Sequence, residues 1–165
     1  MPVTTFDALP ADARLWVFAA AADIDEFDSP KLLKAVVLFL AEWAAHGQAL
    51  TCARHWRDER FLLVAVDQRT EGASGCSIDG LFRTLVELEK GVGTSLVGGG
   101  LIFFRDELGL IHSLSRADFL ELARQGGVTP QTIVFDTTVS TMADYRTKFE
   151  GPAEKSWHAQ LIAGK

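Results

Sequence analysis

Between Arg60 and Asp67 the chain runs through six consecutive apolar residues, "FLLVAV". The run is too short for a buried helix and too uniformly apolar for a strand with one wet face. It therefore predicts a strand covered on both faces. Just before it, "ALTCARHW" is a second strand-like run, and the polar stretch around Arg57, Asp58 and Glu59 joins the two as a hairpin.

The flanking segments supply the rest of a fold. "LWVFAA", Leu15 to Ala20, is a short apolar run that predicts a first strand. In "DSPKLLKAVVLFLAEWAAHG" the apolar residues Leu32, Val36, Phe39, Leu40 and Trp43 recur at helical spacing. Ser29 stands at the N-cap, Pro30 at the first helical position and Gly47 at the stop. A second helix follows from Ile78, Leu81, Phe82, Leu85 and Leu88, and a glycine-rich connection leads from it into "LIFF", Leu101 to Phe104. The order β-α-β-β-α-β predicts an α+β chain of the ferredoxin-like type, with "LWVFAA" and "RFLLVAVD" adjacent and antiparallel.

Beyond that core, residues 15–104, a C-terminal β/α extension over 105–165 is expected. It comprises a strand at "LGLIHSLS", a helix at "SRADFLELARQGG" capped by Ser115 with Asp118, a strand at "TIVFDTTV", a helix at "TMADYRTKF" and a last turn in "SWHAQLIAGK". A length of 165 residues with 48% apolar content suits one domain, residues 1–165.

Composition narrows the partners. The net charge is −6, and the 16 Lys and Arg residues form no run, which argues against a nucleic-acid or anionic-membrane surface. The most apolar helical run, "AVVLFLA", is far shorter than the ~20 residues that cross a bilayer. The N-terminal "MPVTTFDALPADAR" has no secretory pattern, so the cytoplasm is the expected compartment and both cysteines are expected to be reduced. Neither Cys52 nor Cys76 has a C-x-x-C partner, so no metal and no cofactor is expected.

The segment with the most chemistry is "EGASGCSIDGLF", Glu71 to Phe82. It places Ser74, Gly75, Cys76 and Ser77 at the start of the second helix, where free N–H groups and the helix dipole can hold an anion or activate a thiol. The same residues also suit a plain capped turn over a small buried cysteine. In the expected topology the end of the first helix, with His46, reaches the same end of the sheet, as do Asp67, Gln48, Thr51 and Arg105. His46 in a last helical turn is also explained by the dipole alone, and Asp67 by turn formation. His55, His112 and His158 read as structural, and Trp16, Trp43 and Trp56 as core.

Phosphate-loop and nucleophile motifs are absent. No glycine precedes a Lys followed by Ser or Thr, Leu96 replaces the third glycine after Gly91 and Gly93, and Ala73 breaks G-x-S-x-G at Ser74. With "WAAHGQAL", "RFLLVAVD", "SGCSID", "GGVTPQTIVFDTTVST" and the late "SW" in order, the chain resembles a family of small uncharacterised bacterial proteins. Members of that family sometimes carry the label of ABC-transporter ATPase. The resemblance implies no activity, substrate or catalytic residue, and the missing phosphate loop speaks against the ATPase label.

Three functional readings stay open. One is a binding or regulatory module that holds a small anion with Ser74, Gly75, Ser77, Asp67 and Arg105. Another is a thiol enzyme or redox sensor with Cys76 as nucleophile and His46 as its partner. The third is a structural or interaction protein. Fold analogy adds a homodimer.

Overall fold

The computed structural model describes residues 4–69 and 71–163. The chain is mixed α+β, and its strand pairs are antiparallel. It divides into two compact units, Met1–Gly99 with Ser140–Ala143, and Gly100–Val139 with Asp144–Lys165.

The first unit is built on the apolar run. β1 (Arg14–Ala19), β4 (Thr51–Arg57) and β5 (Phe61–Asp67) form a three-stranded sheet in the order β1-β5-β4. β5 is central and pairs antiparallel with both neighbours, Leu15 opposite Ala65 and Thr51 opposite Asp67. Every residue from Phe61 to Val66 is fully buried. Leu62, Val64 and Val66 join a cluster with Leu32, Val36 and Leu40 of α1 (Ser29–Ala41) and with Leu81 and Leu85 of α2 (Gly75–Val92). That cluster is the hydrophobic driving force for the unit. The Arg57–Phe61 hairpin turns through Asp58 and Glu59, both at positive φ (58° and 57°), with Arg60 N–H donating to Arg57 O.

Two local expectations are corrected. Asp28, not Ser29, is the N-cap of α1, and Ser29 is already helical. The helix also ends at Ala41 rather than at Gly47. A small hairpin follows, β2 (Ala44–Ala45) and β3 (Gln48–Ala49), whose two-residue turn is His46 at φ 52° and Gly47 at φ 78°. Positive φ at both central positions is what such a hairpin turn requires. Just past the helix end Trp43 is drawn into the core, 4% exposed, where its indole N–H donates to Ser77 O at 2.7 Å.

The expected antiparallel pairing of "LWVFAA" with "RFLLVAVD" is present, and the strand at "LIFF" lies in a different sheet. β6 (Ile102–Arg105), expected as the last strand of the 15–104 core, pairs instead with β7 (Ile111–Leu114) and β8 (Ile133–Phe135). The start of β1 is met by the returning segment at Ser140–Met142, with Leu15 N–H donating to Ser140 O and an isolated bridge between Arg14 and Thr141.

The second unit holds a four-stranded sheet in the order β7-β6-β8-β9, with β9 at Glu150–Pro152. Its core gathers Ile102, Phe104 and Val134 of the sheet with Phe119 of α3 (Arg116–Arg124) and Leu161 of α5 (Ala159–Ala163). The Ser115 cap of α3 is present, its hydroxyl accepting from Asp118 N–H at 3.1 Å. α4 (Met142–Lys148) completes the elements, and the last two residues of the expected C-terminal turn lie outside the described residues.

Candidate functional site

α2 opens with a reciprocal capping box. Ser74, in extended conformation, accepts from Ser77 N–H at 3.1 Å, and Ser74 N–H donates to the Ser77 hydroxyl at 2.7 Å. Ile78 N–H reaches Ser74 O at 2.9 Å. The cap therefore uses both serine side chains and the N–H groups of Ser77 and Ile78, leaving those of Gly75 and Cys76 outside it. Gly75 and Cys76 are exposed, whereas Ser77 is buried. A Cβ placed on Gly75 would meet nothing within 4 Å. The helix behind this end runs 18 residues and closes on Gly93 in left-handed conformation, with Lys90 in its last turn. Its dipole is thus aligned and terminated as the macrodipole favours.

The other expected site residues fall in different places. The Trp43–Ser77 hydrogen bond brings the base of the His46 hairpin to the start of α2, as the topology argument anticipates. His46 itself is exposed at the hairpin tip. Among the described residues no hydrogen bond, ion pair or ring contact joins it to Cys76. The dipole explanation for His46 also lapses, since His46 lies outside α1.

Asp67 is buried at the end of β5 and accepts from Arg69 three ways: the backbone N–H at 3.0 Å, Nε at 2.9 Å and Nη2 at 2.6 Å. The Arg69 side chain first, and its backbone N–H second, hold the Asp67 carboxyl below the ordinary carboxylate value. Asp67 is thus a turn former, and the hydrogen bonds that hold it run to Arg69 rather than to His46.

Arg105 belongs to the second unit. Its guanidinium meets Glu150 at 2.7 Å and Gly109 O at 3.0 Å and lies over the Phe135 ring. It borders a cleft of about 580 Å³ that is also lined by Phe104, Asp106, Gly126 and Thr132.

The two thiols differ sharply. Cys52 is fully buried in β4, its S–H directed at Leu40 O at 3.6 Å, and burial pushes its pKa up to about 12. Cys76 faces solvent. No group of three or more metal-ligating side chains is present among the described residues.

One pair escaped the sequence reading. Ser156 Oγ and His158 Nδ1 lie 2.7 Å apart, with His158 1% exposed, stacked on Trp157 and edge-on to Phe119. Burial drives the imidazole down to about 4, and Asp136 opposes this. The signal in the sequence is the Ser-x-His spacing at "SWH", which carries no weight until packing buries it.

Comparison with protein-family models, with curated proteins and with solved structures returned no match. No helix among the described residues is long and apolar enough to cross a membrane.

Proposed function

We propose that the chain is a binding or regulatory module whose first unit holds a small anion at the start of α2. The observation that carries this is the division of labour in the cap: Ser74 and Ser77 satisfy each other, while the exposed Gly75 and Cys76 keep their N–H groups outside the cap at the positive end of an 18-residue helix. The site is preorganised, because the cap fixes the backbone before any ligand arrives. Asp67 and Arg105 leave this proposal, being engaged by Arg69 and Glu150.

The β-α-β-β-α order of the first unit supports kinship with the ferredoxin-like sandwich, its fourth strand lost to the second unit. The resemblance to the small bacterial family remains part of this reading, as does a cytoplasmic setting.

The test is a phosphate and sulfate titration followed by backbone amide shifts. Saturable movement of the Gly75 and Cys76 amides is expected. Gly75→Pro removes one donor at a position where proline suits a helix and where the structure leaves room, so it should weaken binding while keeping the fold. Amides that stay still at high anion concentration defeat the proposal.

The thiol reading is favoured by one observation, the exposure of Cys76 at the second helical position. Since no base is hydrogen-bonded to its sulfur among the described residues, that reading becomes a redox-responsive thiol rather than a Cys–His nucleophile.

A further inference from the structure

The outward face of α1, with Phe27 just before it and its C-cap Glu42, carries an unusual pattern. Phe27, Lys31, Lys34, Leu38 and Glu42 follow one another at steps of four, three, four and four, which places them on one stripe of a helix. All five are exposed, Phe27 by 72% and Leu38 by 63%. Lys31 Nζ lies over the Phe27 ring at 4.4 Å from its centre. Among the described residues, neither Lys34 nor Glu42 has an ion-pair partner. Beside the stripe runs a groove of about 460 Å³, floored by Leu33 and Val37 and bordered by Pro30, Lys34, Leu38 and Arg54.

We infer that this stripe is the interface of a homodimer in which α1 packs antiparallel against α1 of a second copy. The argument is self-complementarity, which a two-fold interface demands of a single patch. Read from the N-terminal end, beyond Phe27, the stripe is cationic at Lys31 and Lys34, then apolar at Leu38, then anionic at Glu42. Read from the other end, the order reverses, so an antiparallel copy sets opposite charges together, whereas a parallel copy sets lysine against lysine.

The spacing agrees. Lys31 and Glu42 are about 16 Å apart along the axis, and a two-fold axis at their midpoint, level with Val36 and Val37, places Lys31 opposite the partner's Glu42. The same operation brings Leu38 within about 5 Å, along the axis, of the partner's Leu38. The partner's Leu38 then faces Lys34 and the mouth of the groove, so that Leu38 and the aliphatic stem of Lys34 from both copies interleave between the two ion pairs. A single helix face buries less than the ~800 Å² per partner of a stable complex, and each copy carries a net charge of −6, so the association is weak and concentration-dependent.

The test is sedimentation velocity on the full chain from about 1 µM to about 1 mM. Wild type should pass from monomer to dimer over that range. Lys31→Glu or Glu42→Lys alone places like charges opposite each other twice and should weaken the dimer about tenfold or more. The double reversal restores the pairing in swapped order and should bring the dissociation constant back to near wild type. Leu38→Asp should abolish the dimer. All these positions are exposed, and far-UV circular dichroism checks that each variant is folded. A wild-type chain that stays monomeric throughout overturns the inference. So does a dimer indifferent to the single reversals, or one that the double reversal fails to rescue.

Discussion

Acid should unfold the second unit through His158. The imidazole is 1% exposed and its pKa falls from an ordinary 6.5 to about 4, because the charged form loses its water. In the unfolded chain it regains the ordinary value. As pH drops below about 6.5, the unfolded state takes up a proton that the folded state refuses, so stability present at neutral pH is lost progressively down to about 4 and then levels off. At about 1.36 kcal/mol per pH unit, the gap corresponds to about 3 kcal/mol, a large share of what holds a unit of this size.

The assay for His158 is urea unfolding at several pH values, read from amide signals of β6 and β8 so that only the second unit is followed. The comparison is the double variant His158→Phe with Ser156→Ala, which keeps a ring against Trp157 and Phe119 and leaves no orphaned hydroxyl. Over that pH range the variant should lose about 3 kcal/mol less stability than wild type. His55, whose pKa burial also lowers, lies in the first unit and is common to both proteins. Parallel loss of stability in the two proteins refutes the reasoning, as does a His158 ring signal that titrates near 6.5 in the folded chain.

In the folded protein an alkylating agent should modify Cys76 and leave Cys52 untouched, since Cys52 is buried with a pKa of about 12; mass spectrometry of digested protein decides this, and equal labelling would remove the distinction. Trp43→Phe should cost about 1–2 kcal/mol in thermal or urea unfolding, through loss of the buried indole bond to Ser77 O, and an unchanged melting curve would mean that this bond does not anchor the hairpin to α2. His46→Asn should raise stability by about 0.5 kcal/mol, because asparagine tolerates the left-handed conformation better and Asn-Gly suits a two-residue hairpin turn; a loss of stability would show that the His46 side chain supports the turn.

Whatever rests on local pattern was legible in the amino-acid order. Six apolar residues between Arg60 and Asp67 could only be a strand covered on both faces, and β5 is that strand, flanked by the two neighbours its pattern called for. Ser74 with Ser77, and Ser115 with Asp118, were legible as helix starts because a cap is made by residues three apart. Tertiary structure decided what depends on distant partners. The apolar spacing of α1 runs on through Trp43, yet the helix ends at Ala41, Trp43 is bonded to Ser77, 34 residues away, and His46 is exposed at a hairpin tip. "LIFF" reads as a strand in any context, but the sheet it joins was set by pairing with residues 133–135, so the fourth strand and Arg105 with it went to the second unit. His158 looked ordinary at "SWH" until Phe119 and Trp157 closed over it. Periodicity and capping are encoded within a turn or two of chain, whereas strand partnership and burial are settled by the free energy of contacts that no local window contains.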